Sequence, residues 1–230
     1  QMATLKGDKM ISIVGIEKPI IWDEIIKSFN IHDVYYLSSY VKALQLHGDG
    51  EPNLVYYNNE KTRAINVVMK RDIADSIVFH GKIPEDTWFD FATPYGYGGF
   101  IVEGNDTSAV NEAYTEYCFE NNIVSEFVRF HPLFGNADVV RRMYQVQALG
   151  KTVHIDLKDA NKIWDNFTGK NRNVVRKSKR LGVNIYWGRN EELFEKFKKM
   201  YNDTMKAQNA APYYYFGNAF YKSILHDLGN

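Results

Sequence analysis

The chain has 230 residues, 28 basic and 28 acidic, with 45% hydrophobic and 15% aromatic content. At roughly 100–200 residues per domain this length fits one or two domains, and the apolar content excludes wholesale disorder. Balanced charge excludes a protein coated in phosphate contacts, so any nucleic-acid surface must be local.

Ile11–Ile16 reads as a strand, followed after Pro19 by a short helix near Trp22–Phe29. Asp33 is placed to cap a helix through about Leu46, with Val34, Leu37, Val41 and Leu44 on one face. Gly48-Asp49-Gly50 with Pro52 ends it, and strands near Asn53–Asn58 and Arg63–Lys70 follow across the turn Asn58–Lys61. Trp88–Ala92 and Gly99–Val102 bracket the turn-rich run Pro94-Tyr95-Gly96-Tyr97-Gly98-Gly99. A helix is expected over Thr107–Asn121, a strand over Val124–His131, a short helix over Asp138–Met143 and a strand near Val146–Leu149. Beyond Gly150-Lys151 the pattern restarts with a strand at Thr152–Leu157, helices at Asn161–Phe167 and Asn171–Leu181, and a strand at Val183–Trp187. Asn190 caps a long helix whose buried stripe is expected to be Leu193, Phe194, Phe197, Met200, Tyr201, Thr204 and Met205. Tyr213–Leu228 forms a last helix.

Mixed helices and neighbouring strands give an α+β (mixed α/β) fold. The junction divides it into residues 1–150 and 151–230. The second part has too few strands for an independent sheet, so it reads as truncated.

Several chemistries have no motif here. The chain holds no phosphate-binding loop, no His-Glu-x-x-His helix and no nucleophile elbow. Gly96-Tyr97-Gly98-Gly99 lacks the last glycine of a dinucleotide fingerprint. His154 and Asp156 alternate onto one face as a solvated polar pair rather than a metal site. The lone Cys118 excludes an internal disulfide and sits on an apolar helix face as an inert thiol. No secretory core opens the chain, and Met10–Ile16 is too short to span a bilayer, so the expected location is cytoplasmic with no integral membrane segment. No metal and no cofactor are called for.

The most informative segment is Gly169–Val183. At about 100° per residue, Arg172, Arg176, Lys179 and Arg180 fall in one arc, with Val174, Ser178 and Leu181 opposite and Gly182 as cap. Arginines one turn apart suit bidentate grips on phosphate oxygens; a solvated basic face is the alternative. Arg129 and His131 share a strand face, as cleft lining or as a structural pair.

This basic helix, preceded by the strand Lys151-Thr152-Val153-His154-Ile155-Asp156-Leu157, resembles the start of the second lobe in Fem-type (FemABX) peptidoglycan aminoacyltransferases of the acetyltransferase (GNAT-like) superfamily. Asp33–Ala43, Thr93–Gly99, Glu126–Leu133, Met200–Met205 and Tyr213–Phe216 resemble further elements of that family, in order. The resemblance implies two acetyltransferase-like lobes, residues 1–150 and 151–230, the second incomplete. It implies an aminoacyltransferase that moves an amino acid from the acceptor end of an aminoacyl-tRNA to the peptide-stem amine of a UDP-linked muramyl peptide or related precursor. A first-lobe lysine and a second-lobe arginine would hold the diphosphate; Lys42, and Arg172 or Arg176, match their settings. Tyr97, Tyr213 and Tyr215 would line the substrate site, with core packing or a turn as the bland alternatives. The alternatives in function are an N-acyltransferase with another donor such as acyl-CoA, against which the missing coenzyme A pyrophosphate loop counts, and a non-catalytic module that binds cell-wall precursors or tRNA. The catalytic groups are unassigned.

Overall fold

The structure is a computed structural model that describes residues 11–228. It contains a mixed α+β arrangement that separates into unit 1, Gln1–Val146 with Ala210–Asn230, and unit 2, Gln147–Asn209.

Unit 1 is built on a sheet in the order β1 (Ile11–Gly15), β2 (Glu51–Asn58), β3 (Arg63–Asp72), β4 (Phe89–Ala92) and β6 (Ile123–Phe127), with β5 (Ile101–Glu103) also pairing β3. All pairs are antiparallel except β4 with β6. The chain reaches β6 from β4 through β5 and α3 (Thr107–Glu120), the crossover that a parallel pair requires. Helices α1 (Pro19–Ser28) and α2 (Ser38–His47) cover one face, where Trp22, Ile26, Val41 and Leu44 meet Leu54, Ile65 and Val67. On the other face α3 supplies Val110 and Tyr114 against Val55, Val68, Phe91 and Phe100. Because both faces are covered, β3 is buried from Ala64 through Met69, and its sequence is a continuous apolar-rich run rather than an alternation.

The expected helix from Asp33 breaks in two. Val34–Tyr36 is a single 3-10 turn, Leu37 is extended, and α2 starts at Ser38. Asp33 caps nothing because its carboxylate accepts a hydrogen bond from His131 instead. Gly48 ends α2 in the left-handed region at φ 101°, as its position demands. A short α4 (Asn136–Val139) stands where Asp138–Met143 was expected. The last helix is shorter than expected: a 3-10 turn at Pro212–Tyr214 precedes helix α8 (Asn218–Asp227).

Unit 2 consists of α5 (Ala160–Asn166), α6 (Gly169–Arg180) and α7 (Glu191–Ala207), each with a side-chain N-cap from Asp159, Thr168 and Asn190 respectively. The expected strands at 146–149, 152–157 and 183–187 are not formed. A strand needs a hydrogen-bonded neighbour, and none is paired with these segments among the described residues. The expected buried stripe of α7 is also absent: Phe197 and Met200 stand 53% and 70% exposed.

The grouping into 1–150 and 151–230 differs from the structure at both ends of the second part, which begins at Gln147 and stops at Asn209. Ala210–Asn230 returns to unit 1, where α8 (Asn218–Asp227) packs on α2. Lys42 of α2 pairs with Asp227 at 2.9 Å, and His47 Nε2 lies 2.8 Å from the Tyr213 carbonyl oxygen.

Candidate functional site

Between β4 and β5 the chain leaves the sheet. Ala92 pairs with Met69 and Ile101 with Ile65, so all of Thr93–Phe100 stands opposite only Asn66–Val68. Glycine is required inside this bulge: Gly96 has φ 129°, and a Cβ there would come within 2.3 Å of the Tyr35 ring.

Side chains hold the bulge by its carbonyl oxygens. Tyr36 Oη donates to Gly99 O at 2.8 Å, and Asn136 Nδ2 donates to Gly98 O at 2.9 Å and Phe100 O at 3.2 Å. Tyr40 Oη donates to Tyr95 O at 2.5 Å. The Arg129 amide donates to Thr93 Oγ1 and the Gly98 amide to Arg129 O, both at 2.9 Å, which ties the bulge to the chain leaving β6. By contrast, the amides of Tyr95, Gly96 and Tyr97 donate no hydrogen bond to protein among the described residues. Tyr95 is exposed, and Gly96 and Tyr97 are half-buried. A backbone donor without a protein partner is open to water or to a ligand's oxygen.

Aromatic rings cluster about this segment. Tyr35 meets Tyr40 and Tyr97 edge-on at centroid distances of 5.4 and 5.7 Å. Tyr97 faces His131 at 5.7 Å, with the Arg129 guanidinium 6.0 Å from its ring. Tyr95 approaches Tyr213 at 5.8 Å, and Tyr213 Oη donates to Asp49 Oδ2 at 3.0 Å. Burial first, and then nearby Asp33, Tyr97 and Tyr95, raise the pKa of Tyr35. Burial also dominates the upward shifts of Tyr40 and Tyr213, so these rings present neutral hydroxyls.

His131 is buried against Phe134, with ring centroids 3.6 Å apart. The Leu133 amide donates to its Nδ1 at 3.2 Å, so the proton sits on Nε2 and is donated to Asp33 Oδ2 at 3.1 Å. Both ring nitrogens are engaged. His131 therefore braces the loop that carries Tyr35 and is not a free base.

The residues singled out from sequence fare unequally. Tyr97 and Tyr213 belong to this ring cluster, whereas Tyr215 makes none of its ring contacts among the described residues. The half-exposed ammonium of Lys42 is paired with Asp227, which also accepts from Ser223 Oγ at 2.8 Å. The Lys42 hydrogen bond, ahead of the Ser223 one, holds the Asp227 carboxyl below its usual range. In unit 2, Arg172 Nη1 donates to the carbonyls of Phe167, Asp165 and Trp164 at 2.7, 3.1 and 3.4 Å, closing the C-terminal end of α5. Arg176 lies over the Trp164 ring at 5.4 Å and donates to Asn173 Oδ1 at 3.3 Å. The side chains expected to grip a diphosphate thus already have protein partners, and Arg172 has a structural one.

Sequence reasoning missed Tyr36, Tyr40 and Asn136, the braces of the bulge. Tyr36 and Asn136 are buried polar groups in short irregular elements, and no spacing rule marks them. Burial pushes the Cys118 thiol up to about 12, in keeping with an inert cysteine. An open cleft of about 760 Å³ near Gly50 and Phe79 offers less, because Arg71 is bound bidentately to Asp90 and Lys70 lies over Phe89. No helix among the described residues is long and apolar enough to cross a membrane. No family model, curated protein or solved structure matches the chain.

Proposed function

We propose that the protein is an acyltransferase of the Fem type, with two acetyltransferase-like lobes, that transfers an aminoacyl group from aminoacyl-tRNA to the peptide-stem amine of a peptidoglycan precursor. In this reaction the neutral amine attacks the ester carbonyl, a C–N bond forms, and negative charge collects on the carbonyl oxygen. The C–O bond to the ribose then breaks, and the tRNA hydroxyl leaves with the proton that the amine gives up. Such a transfer needs alignment of two large substrates and donors for the oxyanion, with no covalent enzyme intermediate.

The bulge after β4 carries this reading. Its Tyr95, Gly96 and Tyr97 amides are suited to the developing oxyanion; Tyr40, by holding the Tyr95 carbonyl, fixes the peptide plane of the Gly96 amide, while Tyr36 and Asn136 hold the carbonyls at Gly98–Phe100 that end the bulge. Tyr35, Tyr40, Tyr95, Tyr97 and Tyr213 supply flat rings with polar tips for a sugar or peptide stem. With Lys42 and Arg172 in protein contacts, recognition of the diphosphate is not assigned to them. The same amides would serve the carbonyl of an acyl-CoA, the second reading.

The test is transfer of a radiolabelled amino acid from tRNA to a UDP-linked muramyl pentapeptide, run beside acetyl-CoA with the same acceptor. Label in the peptide from tRNA alone supports the proposal; label from acetyl-CoA alone replaces it with the second reading. Asn136→Ala, which frees the Gly98 and Phe100 carbonyls, is expected to lower kcat by roughly tenfold to a hundredfold with little change in KM, since one oxyanion donor is worth about 10²–10³ in kcat. Unchanged kcat in a folded variant would remove the bulge from the mechanism.

A further inference from the structure

The neutral total charge conceals a division. Residues 147–209 hold 14 of the chain's 28 basic residues and only 7 of its 28 acidic ones, so unit 2 carries +7 and unit 1 carries −7. Within unit 2 the excess concentrates on α6, which has six cations, Lys170, Arg172, Arg176, Lys177, Lys179 and Arg180, and no acid. At about 100° per residue all six fall on one half of the helix. Lys170, Lys177, Lys179 and Arg180 are exposed and form no ion pair among the described residues. Arg172 and Arg176 are occupied on the α5 side. Like charges this close repel one another, and an unpaired row of them lowers its own energy by taking up an anion.

We infer that the cationic half of α6 is the docking surface for the phosphodiester backbone of RNA. The inference deepens the functional reading above, on which the identity of the RNA as the acyl donor rests. The row from Lys170 to Arg180 is about 15 Å long at 1.5 Å per residue, longer than a diphosphate and long enough for consecutive phosphates. Lysines are compact, flexible point charges, which suits a backbone read by charge rather than by fixed bidentate geometry. Just past the helix, Tyr186 and Trp187 stand 77% and 92% exposed, flat rings on which an unpaired base of a single-stranded end can stack. An anionic membrane is the less suitable occupant. The other half of α6 carries Asn171, Val174, Val175 and Ser178, with Leu181 at the C-cap, too small and too polar for a helix that buries large apolar residues in a lipid interface.

The experiment is fluorescence anisotropy of a labelled, deacylated RNA hairpin with a single-stranded 3′ end, titrated with the intact chain over a range of salt. Binding is expected, and it should weaken with salt by roughly 0.7 log units per log unit of salt for each phosphate engaged. Lys170→Glu combined with Lys177→Glu and Arg180→Glu should weaken binding at low salt at least tenfold and flatten the salt dependence. Lys27→Glu combined with Lys61→Glu and Lys82→Glu changes the net charge equally on unit 1 and should leave affinity within about twofold. Equal losses in both triple variants would reduce the effect to net charge and overturn the site. So would absence of RNA binding, with or without binding to phosphatidylglycerol vesicles. Because the hairpin carries no amino acid, RNA binding without any transfer would leave the surface standing and remove the enzymatic reading. Transfer with an RNA KM unchanged by the α6 variant would do the reverse.

Discussion

In unit 1, β3 is buried along six consecutive positions, whereas none of the residues of α5, α6 or α7 in unit 2 is buried. Yet the helices of unit 2 have the better caps: Asp159, Thr168 and Asn190 each accept backbone N–H bonds, while α1 and α2 have no side-chain cap at all. The two units therefore form helices by different means. In unit 1 tertiary burial fixes α1 and α2 without a side-chain cap, although α3 has one from Asp106. In unit 2 local capping and charge placement do that work, and segments with high strand propensity stay unpaired because a strand cannot be specified locally.

The largest expected effect breaks or upholds this contrast directly. Ile65→Ala in the fully buried middle of β3 should destabilise unit 1 by about 2–5 kcal/mol, the range for large-to-small core changes. Met200→Ala on the exposed face of α7 should stay within about 0.5 kcal/mol. Urea denaturation followed by circular dichroism measures both. A Met200 variant as damaged as the Ile65 one would mean that unit 2 has a core of its own, and the contrast would fall.

A smaller effect comes from the buried carboxyl of Glu126 on β6. Asn66 Nδ2, Tyr114 Oη and Tyr144 Oη donate to it at 2.8, 2.9 and 2.7 Å, linking β3, α3 and the chain after α4 through one group. Burial raises its pKa despite those three donors, so the folded state holds the proton more tightly than the unfolded chain. The sign follows from linkage: a raised carboxyl stabilises the fold most below the ordinary glutamate range, and that contribution is lost as pH rises towards the folded pKa. Glu126→Gln, which is uncharged at every pH, should therefore gain stability relative to the parent as pH is raised across that window. Melting curves of both proteins at matched pH values provide the comparison. Parallel curves would show that Glu126 titrates alike folded and unfolded.

How far each unit could be read from sequence follows from the same contrast. The cap at Asn190, the turn at Asn59 and the left-handed Gly48 were legible because each is a local rule satisfied by neighbouring residues. The strands through β4 were legible from apolar runs, but the break at Leu37 was not, because it depends on Asp33 reaching His131, 98 positions away. For the candidate site, the glycine and tyrosine run at 94–99 drew notice, whereas its braces Tyr36, Tyr40 and Asn136 act across long separations and leave no pattern. The Lys42 ion pair leaves no pattern for a related reason: its partner Asp227 returns from the far end of the chain.

Arg172 gives the smallest effect and the most discriminating one, because its partners are local. Spacing one turn from Arg176 suggested phosphate, but Phe167 is extended and stops α5, leaving carbonyls at that helix end within reach of a guanidinium a few residues later. Three carbonyls share Nη1, and charge-assisted bonds of this kind outweigh neutral ones. Arg172→Ala should therefore cost unit 2 about 1–2 kcal/mol, the cost of losing a hydrogen-bonding charged group at a partly exposed site. Amide hydrogen exchange should accelerate over Ala160–Asn166 and remain unchanged in β2 and β3, which are held by their own ladder. Arg172→Lys should recover part of the protection, since an ammonium can still donate to one or two of those carbonyls. If neither variant alters exchange in α5 while RNA affinity falls as far as in the α6 charge reversals, Arg172 would belong with the anion surface, and the capping role assigned to it would be wrong.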